Sequence, residues 1–351
     1  MAYTTIDDPS QYFQTTLYTG DGSSSNAITN AGNSDLQPDW IWGSLRDEDG
    51  GARFVFDSSR GTTKRLKTNA TTEEQVRSGV TAFNSDGFTV GSHSDSNLNT
   101  KSLVAWQWKA NGGTTTSTNA SGSTGDNTDI IASVRQTNTT AGFSIITYTG
   151  DSTAGKKVTH GLGATPEFII IKNRDNGSEP WAVFTTPTGV KALALNTTAA
   201  QATDSGYWSD TNPDSTHFTV GSHGSTGAAA AFVAYAFTSI QGYSKFGSYT
   251  GNGNADGPFV YTGFKPAWIM IKRSDNAEGW HILDNKRDFN ENNTRLQAET
   301  TGVEDTSENG LDMLSNGFKI RTSWAGHNAS SGTYIYMTFA EHPFVSSKGV
   351  P

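Results

Sequence analysis

A short apolar run occurs three times along the chain, and each time it begins at a proline. The runs are Pro38–Trp42, Pro166–Ile171 and Pro266–Ile271, and their apolar residues are mostly β-branched or aromatic. Runs of this length and composition, bounded by proline and by charged residues, are typical of β-strands that are buried on both faces. The pattern therefore predicts three equivalent strands around which the rest of the chain is organised.

Two further landmarks accompany each proline strand in the same order. A Tyr-Thr-Gly turn precedes the strand and a Phe-containing strand follows it: Tyr18, Tyr148 and Tyr249, then Phe88, Phe218 and Phe318. From the first unit to the second the three landmarks move by 130, 128 and 130 residues, and from the second to the third by 101, 100 and 100. Near-constant spacing predicts one β unit repeated three times, with an insertion before the second copy.

The repeat length and the density of turn residues favour a fold class that is all-β, with three tandem β-sandwich (jelly-roll-like) repeats of about 100 residues. We place repeat 1 with an N-terminal arm at residues 1–110, repeat 2 at 130–241, and repeat 3 with a C-terminal tail at 242–351. Residues 111–129 are rich in Gly, Ser, Thr and Asn and are expected to form a flexible polar linker. One short helix is expected at the capping-box sequence Thr71–Glu74.

Composition sets the size of the expected core. Only 34% of residues are apolar and 17% are charged, which predicts several small cores in place of one large one. The 11% of aromatic residues would fill those cores, and Trp106 and Trp108, two positions apart, are expected on one face of a strand. There are no cysteines, so the chain has neither disulfides nor a cysteine-based metal or redox site.

The net charge and the lack of long apolar stretches argue against nucleic acid and membrane as partners. The formal net charge of −9 disfavours a nucleic-acid partner, because binding to phosphates requires a basic surface. The first residues, Met1–Pro9, lack the basic and apolar regions of a secretory signal, and no apolar stretch approaches the ~20 residues that span a bilayer. We therefore expect no membrane insertion.

No motif signals a cofactor, a metal or a catalytic group. The glycine–acid turns, such as Gly20–Gly22, offer oxygen ligands for Ca²⁺ but lack the EF-hand spacing, and Asp, Asn and Gly are equally the residues of tight turns. His93 and His223 occupy the same position in two units without partners at metal-ligand spacing. A nucleophile elbow and phosphate-binding loops are missing. We expect a non-enzymatic protein without cofactor.

Most tryptophans fall at matched positions inside the predicted strands, where core packing is expected. Three aromatic residues lie instead in loop-like sequence: Tyr207, Trp208 and Trp324. Exposed aromatic rings stack on sugars and on partner proteins. These three residues are therefore the candidates for a surface recognition patch, against the alternative that each ring packs onto its own unit.

A resemblance narrows the function. The segments Tyr3–Gln14, Tyr18–Gly22 and Ser34–Trp42 are similar to marine bacteriophage (cyanophage- and pelagiphage-type) virion structural proteins, which repeat a Tyr-Thr-Gly-(Asn/Asp)-Gly opening and a Pro-Asp-(Trp/Phe)-(Val/Ile)-x-Ile-Lys-Asn-Arg strand. Pro166–Arg174 matches that strand best, and Phe339–Phe344 also fits. The first unit departs from the pattern after Trp42 and the third after Lys272. The resemblance spans nearly the whole chain and implies a phage particle protein without catalytic residues.

Three functions follow as hypotheses. The first is a virion structural protein on the particle surface, as head decoration, fibre or tail-associated protein, assembled in the host cytoplasm with other virion proteins. Such a protein is expected to be a homo-oligomer, with a trimer suggested by the three units. The second is a receptor-binding or glycan-binding tail protein that uses loops at the ends of the sandwiches. The third is a depolymerase, which would need a carboxylate pair that no motif indicates.

Overall fold

The computed structural model describes residues 4–120, 129–287, 294–307 and 310–343. Within these ranges the chain forms 26 β-strands, three α-helices of four residues each and one 3-10 helix, Pro9–Gln11. The prediction of an all-β fold is confirmed. No helix in the described part of the chain has the length and apolar composition that a membrane crossing requires.

The strands fall into three units. The first unit contains β1 (Phe13–Thr19), β2 (Asn26–Ile28), β3 (Trp40–Leu45), β4 (Phe54–Asp57), β5 (Lys64–Lys67), β6 (Gln75–Val76), β7 (Val80–Phe83), β8 (Phe88–Val90), α1 (Ser94–Asn97) and β9 (Ser102–Trp108). The second contains β10 (Thr116–Thr118), β11 (Ser133–Asn138), β12 (Phe143–Thr149), β13 (Lys156–Thr159), β14 (Phe168–Asn173), β15 (Ala182–Thr185), β16 (Gly189–Ala194), α2 (Ser205–Trp208), β17 (His217–Val220) and β18 (Ala231–Phe237). The third contains β19 (Ser244–Thr250), β20 (Phe259–Tyr261), β21 (Phe264–Arg273), β22 (Trp280–Asp284), β23 (Leu296–Gln297), β24 (Leu311–Leu314), β25 (Gly317–Ile320), α3 (Ala325–Asn328) and β26 (Thr333–Pro343).

One strand order occurs in all three large sheets. It reads β1-β9-β3-β4-β5 in the first unit, β12-β18-β14-β15-β16 in the second and β19-β26-β21-β22-β23 in the third. The register also agrees, because the aromatic residue two positions after each proline pairs with an aromatic residue of the unit's closing strand: Trp40 with Trp108, Phe168 with Phe237 and Trp268 with Phe339. A small sheet accompanies each large one: β2-β8-β7, β13-β17 and β20-β25-β24.

The inner faces of the three large sheets share one central core. Seven of the nine tryptophans lie in it, together with aliphatic residues from every large sheet: Trp40, Trp42, Trp106, Trp108, Trp181, Trp268 and Trp280. Trp40 of the first unit stacks on Tyr235 of the second at 4.6 Å between ring centroids. Phe339 of the third unit meets both Phe13 (5.3 Å) and Phe237 (6.0 Å). The expectation that the chain fills only small cores is therefore wrong.

The outer face of each large sheet packs on its own small sheet and forms a separate, smaller core. Strand β14 shows the division: Ile170 points into the central core, whereas Ile169 and Ile171 point into the outer core of the second unit. The first and third units have equivalent outer cores around Ile41 and Ile269. The apolar run of each proline strand is continuous, with no polar alternation, because both faces of the strand are covered.

Three seams join the units in a closed cycle. In each unit a side chain at the start of the fourth strand in sheet order (β4, β15 or β22) crosses to the neighbouring unit. There it donates a hydrogen bond to a backbone carbonyl. Trp181 Nε1 donates to Lys67 O (2.8 Å), and Trp280 Nε1 donates to Ala194 O (3.0 Å). In the first unit an arginine replaces the tryptophan, and Arg53 Nε closes the cycle by donating to Gln297 O of the third unit (2.9 Å).

Two of the seams also carry a buried carboxylate paired with an arginine. Asp57 Oδ2 accepts from Arg60 Nε (2.5 Å) and from the hydroxyl of Tyr235 across the seam (2.6 Å). Asp284 Oδ2 accepts from Arg287 Nε (2.5 Å) and from the Trp106 indole across the next seam (2.9 Å). Each Oδ2 atom thus receives two hydrogen bonds, and each Oδ1 atom accepts backbone N–H groups of the following turn. These bonds offset the free energy of burying the charge.

Two local expectations differ from the structure. Thr71–Glu74 has no regular secondary structure and is not helical, because Glu74 lies in a seam where it accepts from Arg60 (3.0 Å) and Arg174 (2.9 Å). Part of the expected linker 111–129 is ordered: Gly112 N–H donates to Asp39 (2.9 Å), and β10 pairs with β11. Residues 121–128 of that linker lie outside the described part of the chain.

Glu299 occupies, in the third unit, the position at which the first and second units have Asn69 and Asn196. Asn69 accepts the backbone N–H of Arg53 (2.9 Å) and Asn196 that of Trp181 (2.8 Å), whereas Glu299 Oε2 accepts that of Trp280 (3.0 Å). Burial raises the pKa of the Glu299 carboxyl to about 7, against hydrogen bonds and nearby cations that favour the charged form.

Glu299→Gln is predicted to remove a pH dependence of stability. Because the folded-state pKa lies above that of the unfolded chain, the native protein binds the extra proton and loses stability as pH rises from about 4.5 to 7. The variant should match the wild type near pH 4 and exceed it by about 1–3 kcal/mol at pH 8 in chemical denaturation. Asn196→Asp, the reciprocal change, should introduce such a slope; identical slopes in wild type and Glu299→Gln would contradict the assignment.

Candidate functional site

Two of the three residues predicted to form a recognition patch are buried. Trp208 is 1% exposed and meets Phe184 edge-on at 5.6 Å, while Tyr207 is 8% exposed and stacks on His223 at 4.3 Å. Both belong to helix α2, which begins where Asp204 Oδ1 accepts the N–H of Gly206 (2.9 Å). The prediction is wrong for these residues, because a single helical turn folds their rings into the outer core of the second unit.

Trp324 lies in the third unit, so the structure does not bring it together with the other two. It is half-buried, with the Arg295 guanidinium 4.4 Å from its ring centroid and His281 at 4.9 Å. His327 packs beside it and is buried, which lowers the pKa of its imidazole to about 3, helped by the charge of Arg295. Trp324 covers a buried polar cluster and does not form a platform.

The repeated histidines serve the local backbone. His93 Nδ1 accepts the N–H of Asp95 (3.2 Å), and His223 Nδ1 accepts that of Ser225 (3.1 Å). Burial, with the neighbouring Arg65, lowers the pKa of His93 to about 4, so the ring stays neutral at physiological pH. Within the described ranges no three or more His, Cys, Asp or Glu side chains are grouped as metal ligands.

An aromatic surface does exist, on a strand that the sequence analysis did not single out. Strand β20 buries Val260 between two outward rings, Phe259 (45% exposed) and Tyr261 (49% exposed). Lys245 Nζ lies 5.4 Å from the Tyr261 ring centroid, and Leu314 is also exposed nearby on the same small sheet. The sequence signal was the pair Phe259 and Tyr261, two positions apart in a short strand. Such spacing places both rings on one face of the strand but does not say whether that face is buried or exposed.

A second candidate surface is a cleft of about 440 Å³ between the first and third units. One wall is strand β1 with the loop around Ala31, and the other comprises the turn after β22 and the end of β26. Two buried polar atoms in its lining have no hydrogen-bond partner, Asn285 Oδ1 and Thr15 Oγ1. Buried polar atoms are normally paired, so these two atoms mark the cleft as a candidate binding site.

Comparison with known proteins adds a family but no activity. No curated protein and no solved structure matches the chain. A family model described as a domain of unknown function, DUF7483, matches residues 8–343. That range includes all three units, the central core and both candidate surfaces. The match covers nearly the whole sequence, and the chain therefore belongs to the DUF7483 family.

Proposed function

We propose that this protein is a non-enzymatic structural component of a tailed-bacteriophage particle, exposed on the head or tail. The proposal rests on the closed cycle of three like units around one core. In that cycle each unit donates a side-chain hydrogen bond to the unit before it. One chain thereby presents three similar flanks, which suits a threefold-related position on a symmetric particle. The resemblance of the Tyr-Thr-Gly and proline-strand motifs to phage virion proteins supports the same assignment.

Other properties agree with a scaffold role. The net charge of −9 disfavours binding to packaged nucleic acid and to other acidic polymers. Polar side chains of the described residues also bond one unit to the next: Arg46 of the first unit donates to Glu304 of the third unit, and Arg287 of the third unit donates to the same carboxylate. Neighbouring virion proteins, or further copies of this chain arranged as a trimer, are the partners we propose.

The proposal predicts that the protein is an integral part of the particle. Quantitative mass spectrometry of gradient-purified particles should find it at a copy number that is a multiple of a symmetric assembly unit, and a high-salt wash should not deplete it. An abundant host protein measured in the same gradient fractions controls for adsorption. Absence from purified particles, or depletion in parallel with that host protein, would overturn the proposal.

A glycan-binding tail protein is the second candidate, favoured by Phe259 and Tyr261. Two outward rings on one strand face can stack on sugar rings, and alanine substitution of both should abolish glycan binding because stacking supplies most of the contact. The check is a glycan array with the full chain and with the double variant. Val76→Ala, at an exposed apolar residue outside both candidate surfaces, is the matched control. An array without wild-type signal, or one unchanged by the double variant, would exclude this candidate.

A further inference from the structure

Strand β1 ends its sheet with one edge unpaired. Tyr12 O accepts the N–H of Lys109 (3.0 Å), and the N–H of Gly20 donates to Lys101 O (2.9 Å), so residues of even number face β9. The backbone groups of Phe13, Thr15 and Leu17 therefore point the other way. Among the described residues no further strand lies beyond β1 in the sheet order, and these outward groups line the cleft between the first and third units.

The equivalent edge in the second unit is filled. There β12 corresponds to β1, and β11 pairs with it antiparallel along its full length. Ile145, which corresponds to Thr15, pairs with Gln136. The chain thus shows in one unit what the same edge accepts in another: an extended antiparallel strand.

The surroundings of the two edges also correspond. Asp57 pairs with Trp40 and Asp284 with Trp268, each two positions after the proline, so Asn285 and Lys286 occupy the positions of Ser58 and Ser59. In the filled site Gln136 Nε2 donates to both serine hydroxyls, each at 2.9 Å. In the open site Asn285 and Lys286 line the cleft, and no strand of the described part of the chain lies between them and β1.

The open site has acceptors without donors. Asn285 is 6% exposed, yet its Oδ1 atom has no partner, and Thr15 Oγ1 beside it is likewise buried and unpaired. Leaving such buried atoms unpaired is unfavourable, because they have lost their hydrogen bonds to water. In the second unit the amide of Gln136 supplies such a donor. A donor at the equivalent place in the cleft would form a hydrogen bond with Asn285 Oδ1.

We propose that the cleft binds an extended segment of a different protein, which pairs antiparallel with β1 and presents an amide or basic side chain opposite Thr15. The backbone of Phe13, Thr15 and Leu17 supplies the ladder of hydrogen bonds, and Asn285 selects the donor side chain. This inference goes beyond the role in a particle, because it names the form and chemistry of the partner and holds wherever the protein resides.

The first test uses the strand that fills the equivalent site. A synthetic peptide of residues 131–140 is added at up to millimolar concentration to the isotope-labelled full chain, and amide exchange is followed by NMR. Exchange at Phe13, Thr15 and Leu17 should slow at least about tenfold, while that at Gln14 and Thr16, already bonded to β9, stays unchanged. Unaltered exchange at the odd-numbered amides would overturn the proposal. So would protection that rises with protein concentration without peptide, which would assign the cleft to a second copy.

Variants separate the edge from the donor pocket. Leu17→Pro removes an outward N–H and should weaken peptide binding at least about tenfold, whereas Ser248→Pro, at the corresponding outward position of β19, should leave it unchanged. Asn285→Leu should weaken binding about three- to tenfold, and Asn285→Ser, which restores the residue of the first unit, should not. Thermal melting of all four variants shows whether each is folded. Equal binding by Leu17→Pro and Ser248→Pro, or by Asn285→Leu and Asn285→Ser, would contradict the proposal.

Discussion

Burial of three sheet faces against one another is the constraint on which the structure depends. Each large sheet is apolar on both sides, and its small sheet covers only the outer side. The inner side is covered only if all three large sheets meet, as they do around Trp40, Phe168 and Trp268. With no disulfide to cross-link it, the chain relies on this shared burial, in which bulky aromatic rings supply most of the contact area.

Hydrogen bonds at the seams fix how the three sheets are positioned relative to one another. A purely apolar core tolerates sliding of one sheet on another, whereas an indole or guanidinium that must reach one particular carbonyl does not. Arg53 shows how the position adapts: it donates to Gln297 O as the tryptophans do, and its Nη2 also donates to Gly302 O. In the other seams a lysine makes that second bond, Lys172 to Thr71 O and Lys272 to Thr198 O. Burial lowers the pKa of both lysines to about 8.

The sequence revealed the strands but not how they assemble. The run Ile169–Ile171 predicts burial on both faces, yet nothing local states that one face belongs to its own unit and the other to all three. Trp208 was misassigned because Ser205–Ser209 reads as a loop, while the cap on Asp204 makes it a buried turn of helix. The cleft was beyond sequence analysis for a similar reason, since whether a strand edge is covered depends on neighbours distant in the chain. Only the insertion before the second unit, which supplies β10 and β11, hinted that the units differ there.

The central claim is that three units fold as one cooperative body around a common core. Native-state hydrogen exchange in increasing denaturant tests it most directly, because it reports an opening free energy for each strand. The account predicts that the core amides of β3, β14 and β21 converge on one opening free energy with one denaturant dependence. Three separate free energies with separate dependences, one for each unit, would contradict it.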